Sequence, residues 1–177
     1  MLLGALNRVV QYIKKGILKA KYKGLISFKD RISLGKNTEI VSQDSGRISF
    51  GKIVTASNVR LSCVGGDLNI GNCFINRNVM IVCRNKVHIG DGVEFGPNVV
   101  VYDHDHEFDK SGVVGKKFKL GEVYIGNNCW IGAGAIILRN THIGDGTVIG
   151  AGTVVKGDIP PHSVIYNERK IISKALE

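Results

Sequence analysis

The chain has 177 residues, which is enough for one domain with a hydrophobic core and too few for two domains of ordinary size. With 23 glycines and only 7% aromatic residues, its composition is typical of a fold with many turns and short strands. The formal net charge is +9, but eight Lys or Arg residues and only one acidic residue lie within residues 1–31. The rest of the chain is nearly balanced and lacks a basic face interleaved with aromatic residues, so we expect no nucleic-acid partner.

The sequence indicates a cytoplasmic protein. It contains no apolar run of the roughly 18 residues that a membrane-spanning helix needs, and no secretory leader. Its four cysteines form no CxxC pair. We therefore expect reduced thiols.

Residues 1–27 are predicted to form a short amphipathic helix and a linker. Apolar residues spaced by three and four define one stripe, formed by Leu3, Leu6, Val10, Ile13, Ile17 and Ala20. One interpretation is that the stripe packs against the domain, where it would cover an open end, or against a neighbouring subunit. The other is that this lysine-rich helix lies on an anionic membrane, which would place the protein peripherally at the inner face.

A six-residue repeat dominates the sequence from residue 34 onward. Large apolar residues recur at intervals of six at Ile125, Ile131, Ile137, Ile143, Ile149 and Val155. Four of them precede Gly, and the fifth place of the successive hexads holds Cys129, Ala135, Thr141, Thr147 and Thr153. A strict period of six fits neither an α-helix nor the alternation of antiparallel strands.

The repeat predicts an all-β fold, a left-handed parallel β-helix (hexapeptide repeat) with one protruding loop. Three flat sides of six residues make one coil, and stacked coils pair as parallel strands. The first residue of each hexad points inward, the fifth fills a corner, and Gly permits the bend. We expect about six coils in a domain of residues 28–162, followed by a C-terminal tail at 163–177.

The repeat is interrupted by a polar loop near residues 103–122. It begins with the segment Tyr102-Asp103-His104-Asp105-His106-Glu107-Phe108 and holds two of the five histidines. Functional groups are often placed on loops that leave a rigid scaffold. His104 and His106 are therefore candidates for an active site.

From about residue 68 to 162, the chain resembles the hexapeptide-repeat acetyltransferases, which include galactoside, maltose and polysaccharide O-acetyltransferases. The match depends on three segments: "IGDGVEFGPNVVVYDHDHEF" with the loop histidines, "IGNNCWIGAGAIIL" with Trp130, and "IGDGTVIGAGTVVKGDIPPHSV". The resemblance implies a homotrimer that transfers an acetyl group from acetyl-CoA to a hydroxyl of a sugar or surface-polysaccharide precursor. No metal is expected.

In this family the loop histidine is the general base, and Trp130 lies 24 residues beyond His106. The resemblance therefore assigns the role to His106, with His104 as the second catalytic candidate. A neutral imidazole about 3 Å from a sugar hydroxyl can remove its proton as the oxygen attacks the thioester. The imidazole could be oriented by any of three acids in the segment, Asp103, Asp105 and Glu107.

The resemblance also implies binding residues. Asn76, thirty residues before His106, matches an asparagine that galactoside enzymes use on the acceptor sugar, and Asp103 joins it as a substrate-binding candidate. The candidates for coenzyme contact are Trp130, Ala133, Ala151 and Lys156. The backbone N–H of Ala133 is expected to stabilise the oxyanion.

Two departures from the family pattern concern binding. Position 84 is Arg where galactoside enzymes have an acid, which indicates a different acceptor sugar. The Lys that commonly precedes the Asp-Ile-Pro segment is shifted to Lys156, and the usual Gly-x-Pro turn after Pro160-Pro161 is missing.

The sixth place of the hexads is predicted to face outward. It holds apolar residues that would form one exposed column, namely Trp130, Ile136, Val148 and Val154. An exposed apolar patch of this kind indicates packing between subunits. Trp130 is the exception, because it could instead line the coenzyme channel.

Two other functions fit the same coil. A γ-type carbonic anhydrase binds zinc through three histidines, for which His88, His104 and His106 are available, but the paired histidines five apart that the family uses are missing. The other alternative is a non-catalytic scaffold, because a fold does not imply a function. Metal content would identify the first, and an unchanged phenotype on loss of His106 would identify the second.

Overall fold

The computed structural model describes the backbone of residues 2–168 and the side chains of residues 9–168. One helix, α1, spans Leu2–Lys21, as the sequence predicts. The side chains of Leu3 and Leu6 in its stripe, and residues 169–177 of the expected tail, lie outside the described residues. Up to residue 168, twenty short strands follow the helix.

Eighteen of the strands form three parallel ladders, one along each flat side of a solenoid. Face 1 consists of β1 (Ile26–Phe28), β4 (Arg47–Phe50), β7 (Asp67–Ile70), β10 (Lys86–Ile89) and β15 (Glu122–Ile125). Face 2 consists of β2 (Ile32–Ser33), β5 (Ile53–Thr55), β8 (Cys73–Ile75), β11 (Val93–Phe95), β16 (Trp130–Ile131), β18 (Val148–Ile149) and β20 (Val164–Ile165). Face 3 consists of β3 (Glu39–Gln43), β6 (Arg60–Val64), β9 (Met80–Cys83) and β12 (Val100–Tyr102).

Two longer strands, β17 (Ile136–Ile143) and β19 (Val154–Ile159), turn from face 3 to face 1. They pair with each other on both faces, with an irregularity in register between Ile137 and Thr141. The predicted parallel β-helix is thus confirmed. It has about seven turns rather than the expected six, because the first coil already begins at Ile26 and the last, incomplete coil reaches Ile165.

The hexad rule describes the core. The first-place residues from Ile125 to Ile149 are fully buried, and so are the small fifth-place residues such as Ala135 and Thr147. Burial of each large aliphatic side chain contributes about 1.5–3 kcal/mol. The four cysteines, Cys63, Cys73, Cys83 and Cys129, are buried free thiols in this core.

Glycine at the second place is required by close stacking and not, as expected, by the bend itself. A Cβ on Gly132 would lie 2.6 Å from the carbonyl oxygen of Ile149 in the next coil. The left-handed backbone at one column of corners belongs instead to asparagines at positions 37, 58, 78 and 98. Their side-chain amides are hydrogen-bonded from coil to coil at 3.0–3.2 Å.

Helix α1 docks on the first coils. The side-chain amide of Gln11 donates to the carbonyl of Leu34 and accepts from its N–H. Leu18 and Tyr22 pack against the core. Among the described residues, no helix is long and apolar enough to cross a membrane.

The sixth-place residues face outward, but they form two columns and not the single column expected. Trp130 is in register with Val148 on face 2, whereas Ile136 is in register with Val154 on face 3. Successive hexads lie on successive faces, so only residues one coil apart are stacked.

Candidate active site

The interruption predicted near residues 103–122 is an antiparallel hairpin, formed by β13 (His104–Asp109) and β14 (Gly112–Leu120). It leaves the solenoid after β12 and returns at β15, so it projects from the corner between face 3 and face 1. Side chains alternate along a strand. His104 and His106 therefore lie on one side of β13 and Asp105 on the other.

Asp103 anchors the base of the hairpin. Its carboxylate is fully buried and accepts hydrogen bonds from the backbone N–H groups of Arg84 and Asn85, at 2.7–2.9 Å. Burial alone would raise the pKa of Asp103, but these bonds and one from His104 outweigh it and hold the pKa below its ordinary value. The carboxylate therefore stays ionised, and the anchor persists, to a lower pH than for an ordinary aspartate.

His104 is the histidine that has a carboxylate partner at this site. Its Nδ1 lies 2.8 Å from Oδ1 of Asp103, and its side chain is only 10% exposed. Tyr102 and Phe118 pack edge-on against its ring. Because Asp103 is ionised, Nδ1 is the nitrogen that donates to it, and Nε2 is the nitrogen that would carry the lone pair of a neutral imidazole.

His106 is exposed on the same side of the hairpin. Its ring lies against Phe118, with centroids 4.6 Å apart, and Phe118 is its cross-strand neighbour in β14. Within residues 2–168 neither ring nitrogen of His106 is hydrogen-bonded. His106 therefore has the spacing to Trp130 that the resemblance expects of the base, whereas His104 has the oriented imidazole.

The two other acids of the segment have separate positions. Asp105 is hydrogen-bonded to Nε of Arg139 in β17, which ties the hairpin to the next coil. Glu107 is half-buried, at the point where the pairing of β13 with β14 becomes irregular. Of the three acids that the sequence leaves open, only Asp103 contacts a histidine.

Arg84 and Phe118 complete the cluster. The guanidinium carbon of Arg84 lies 3.8 Å from the centroid of the Phe118 ring, so one ring contacts Arg84, His104 and His106. The sequence drew attention to Arg84 only as a departure from the family. Neither Phe118 nor Arg139 could be identified, because their contacts depend on the hairpin register.

The candidates for coenzyme and acceptor contact are divided between two corners. Lys156 is exposed in β19 at the hairpin's corner. Asn76, Ala133 and Ala151 lie at the corner between face 2 and face 3, where Oδ1 of Asn76 accepts the Arg77 N–H. Trp130 is 55% exposed on face 2 beside that corner. A single chain therefore does not bring the residues at the second corner, or Trp130, to the histidines.

Of the three histidines of the zinc alternative, His88 is separated from the other two. His88 lies on face 1 and stacks on Tyr124, with centroids 4.8 Å apart, whereas His104 is held by Asp103. Within the part of the chain that the structure describes, no three His, Cys, Asp or Glu side chains are grouped so that they could hold a metal.

Comparison with known proteins agrees with the repeat and the solenoid. Residues 122–157 match the family model described as bacterial transferase hexapeptide (six repeats). Galactoside O-acetyltransferase of Escherichia coli (strain K12) is 40% identical over 105 residues, which are 56% of this chain and 50% of that protein. The predicted resemblance to hexapeptide-repeat acetyltransferases is confirmed. The galactoside O-acetyltransferase of Lactococcus lactis subsp. lactis is 34% identical over 107 residues.

The chain spans about half the length of these curated relatives. Among solved structures, a variant of AntD, an N-acyltransferase from Bacillus cereus, is 25% identical with a TM-score of 0.68 and covers 92% of this chain and 90% of its own. Its complex contains dTDP-4-amino-4,6-dideoxyglucose and coenzyme A. A galactoside acetyltransferase in complex with coenzyme A is 26% identical with a TM-score of 0.51, covering 82% of this chain and 63% of its own.

Proposed function

We propose that this hexapeptide-repeat protein is an acetyl-CoA-dependent O-acetyltransferase acting on a hydroxyl of a sugar or surface-polysaccharide precursor. The observation that supports it most directly is the histidine-bearing hairpin, which interrupts the solenoid just before the hexapeptide segment 122–157, in a chain that is similar to a galactoside O-acetyltransferase over 105 residues. The coenzyme A complexes of AntD and of the galactoside acetyltransferase support the donor.

In the proposed mechanism His106 is the general base. A neutral imidazole nitrogen of His106 removes the proton of the acceptor hydroxyl as that oxygen attacks the acetyl carbonyl of the thioester. The resulting oxyanion accepts a hydrogen bond from the backbone N–H of Ala133, which has no acceptor within residues 2–168. The carbon–sulfur bond then breaks, and the imidazolium returns the proton to the coenzyme A thiolate. The acetyl ester and free coenzyme A are released.

His104 is proposed as a positioning residue. Its bond to the buried Asp103 and its contact with Phe118 fix the ring against which His106 packs. This division follows exposure, because the His106 side chain is open to a substrate and the His104 side chain is almost covered.

The proposed active unit is a homotrimer. In one chain the hairpin and the Ala133 corner are at different edges of the solenoid, so a neighbouring subunit must bring the second edge to the first. The exposed apolar side chains of Trp130, Ile136 and Val154 border the Ala133 corner and provide a surface for that contact.

The function is tested by incubating the purified protein with acetyl-CoA and a panel of glycan acceptors, with thiol detection of released coenzyme A. An ester product is expected, which mild base cleaves. An amide that resists base would instead indicate an amino-sugar acceptor. Absence of acetyl-CoA binding by calorimetry would contradict the proposal, and bound zinc together with carbon dioxide hydration would favour the anhydrase alternative.

We also propose that α1 contacts an anionic membrane surface while its other side stays docked. Val9, Ile13 and Ile17 are more than half exposed on the side away from the first coil, and Tyr12 is exposed at the cavity between the helix and that coil. Lysines 19, 21 and 23 follow them, and each cation near an anionic leaflet contributes about 1 kcal/mol. Lys15, Arg31 and Lys52 line a cavity of about 530 Å³ beside the helix, which adds to the positive charge of this end.

For this contact we expect the protein to sediment with anionic vesicles at low salt and to be released at high salt. The double substitution Ile13→Glu and Ile17→Glu should abolish sedimentation without unfolding the protein, because neither side chain is buried. The control is Val113→Glu, which replaces one exposed apolar residue of the hairpin by glutamate. Equal sedimentation of all three proteins would show that the helix is only a cap.

A further inference from the structure

Arg84 places a positive charge against the Phe118 ring, which also contacts the candidate base, and no acid among the described residues is paired with it. Its Nε is buried and has no hydrogen-bond partner within residues 2–168. The guanidinium instead lies over the Phe118 ring, at 3.8 Å. The sequence shows that this position is Arg, but only the structure shows that the charge is unpaired.

The nearby carboxylates are engaged elsewhere. Asp103 accepts two backbone N–H groups and bonds to Nδ1 of His104, so its oxygens are used. Asp105 is bonded to Arg139 on the other side of β13. The contrast between the two arginines is informative, because Arg139 has a protein carboxylate as partner and Arg84 has none.

An unpaired guanidinium in this position favours an anionic ligand. A buried donor without a partner is unfavourable, and a ligand oxyanion that accepts its hydrogen bonds removes that cost. The planar fork of arginine fits the oxygens of phosphate and carboxylate groups, and such charge-assisted bonds are stronger than neutral ones. The contact with the Phe118 ring restrains the guanidinium group.

Phe118 links this charge to the chemistry. The same ring contacts Arg84, His104 and His106, so an oxyanion bound to Arg84 would hold the rest of its molecule beside the two imidazoles. A hydroxyl a few bonds away from that oxyanion is then the group presented to the base.

We propose that the acceptor is an anionic sugar, bearing a phosphate, diphosphate or carboxylate group, and that Arg84 is the specificity-determining residue that binds this group. The inference rests on the proposed acetyl transfer and names the chemical class of its acceptor.

The test compares acceptors that differ in charge. A hexose 1-phosphate, a nucleoside diphosphate hexose, a hexuronic acid and the neutral methyl hexoside are assayed at constant acetyl-CoA. We expect kcat/KM for one anionic form to exceed that for the neutral form by about 10- to 100-fold. Which form is preferred identifies the source of the anion, and equal values for all four overturn the inference.

Arg84→Met should remove the preference by lowering kcat/KM for the anionic acceptor to that of the neutral one, while the KM for acetyl-CoA stays unchanged. The thermal midpoint should fall only slightly, because the substitution removes the contact with Phe118 but no side-chain hydrogen bond. Arg47→Met is the matched control. Arg47 is already paired with Asp67, and both residues lie on coils that precede the coil of Arg84. A preference that persists in Arg84→Met overturns the assignment, and Arg84→Lys should retain part of it.

A binding measurement separates this inference from the function. Calorimetry with inorganic pyrophosphate, without acetyl-CoA, should show binding that Arg84→Met weakens about 10-fold or more and Arg47→Met leaves intact. If pyrophosphate binds in this way and no acceptor is acetylated, the proposed function fails and the anion site stands. If acceptors are acetylated and pyrophosphate binds both variants equally, the anion site fails and the function stands.

Discussion

Replacement of His106 by alanine is expected to lower the rate of acetyl transfer by about two to four orders of magnitude, the usual contribution of a general base. The effect should fall on kcat, while the KM for acetyl-CoA changes little. Because His106 is exposed on the hairpin and outside the core, the variant should keep its thermal midpoint and its oligomeric state. Steady-state kinetics with thiol detection, together with sedimentation, provide the measurement.

His104→Ala is the matched comparison, since it removes the same side chain two residues away. We expect a smaller loss, because His104 is 90% covered and acts through Asp103 and Phe118. A positioning role also predicts that the acidic limb of the pH–rate profile is retained in His104→Ala and lost in His106→Ala. If His104→Ala is the more damaging change, the base is His104, whose Nε2 is left free by its bond to Asp103.

The fold could be predicted in detail because the hexad signal is local. The large apolar residues from Ile125 to Ile149 recur every six positions, which is the length of one flat side of a coil. Their burial can therefore be predicted from the spacing alone. The first coils were harder to assign, because their repeats contain phase slips and the strand Ile26–Phe28 has no Gly phrase to mark it. The reason for glycine at position 132 could not be predicted locally, because it is the close approach of Ile149 in another coil.

The candidate site could be predicted only in part. Asp103, His104 and His106 share one segment, so the sequence brings them together. Which acid orients which histidine depends on side-chain alternation in β13 and on the hydrogen bonds from Arg84 and Asn85, and neither follows from composition or spacing. The contact between Asp105 and Arg139 could not be predicted either, because the two residues are 34 apart in the sequence and meet only through the position of the hairpin.

Replacement of Ile136 by glutamate is expected to dissociate the proposed trimer and to abolish most of its activity. Ile136 faces outward from face 3 and is 36% exposed in the single chain, next to the corner that holds Ala133. In a trimer the substitution would bury an unpaired carboxylate in each copy of the contact, at a cost of several kcal/mol per charge. Sedimentation velocity should show monomers whose secondary structure is intact by circular dichroism.

Asn69→Glu is the matched control for this prediction, because Asn69 also faces outward but lies on face 1, away from the Ala133 corner. The control should remain a trimer and keep full activity. The two readouts must change together in Ile136→Glu, since the histidine hairpin of one chain is proposed to meet the Ala133 corner of another. A monomeric Ile136→Glu protein with full activity would show that one chain contains the whole site and that the apolar columns have another purpose.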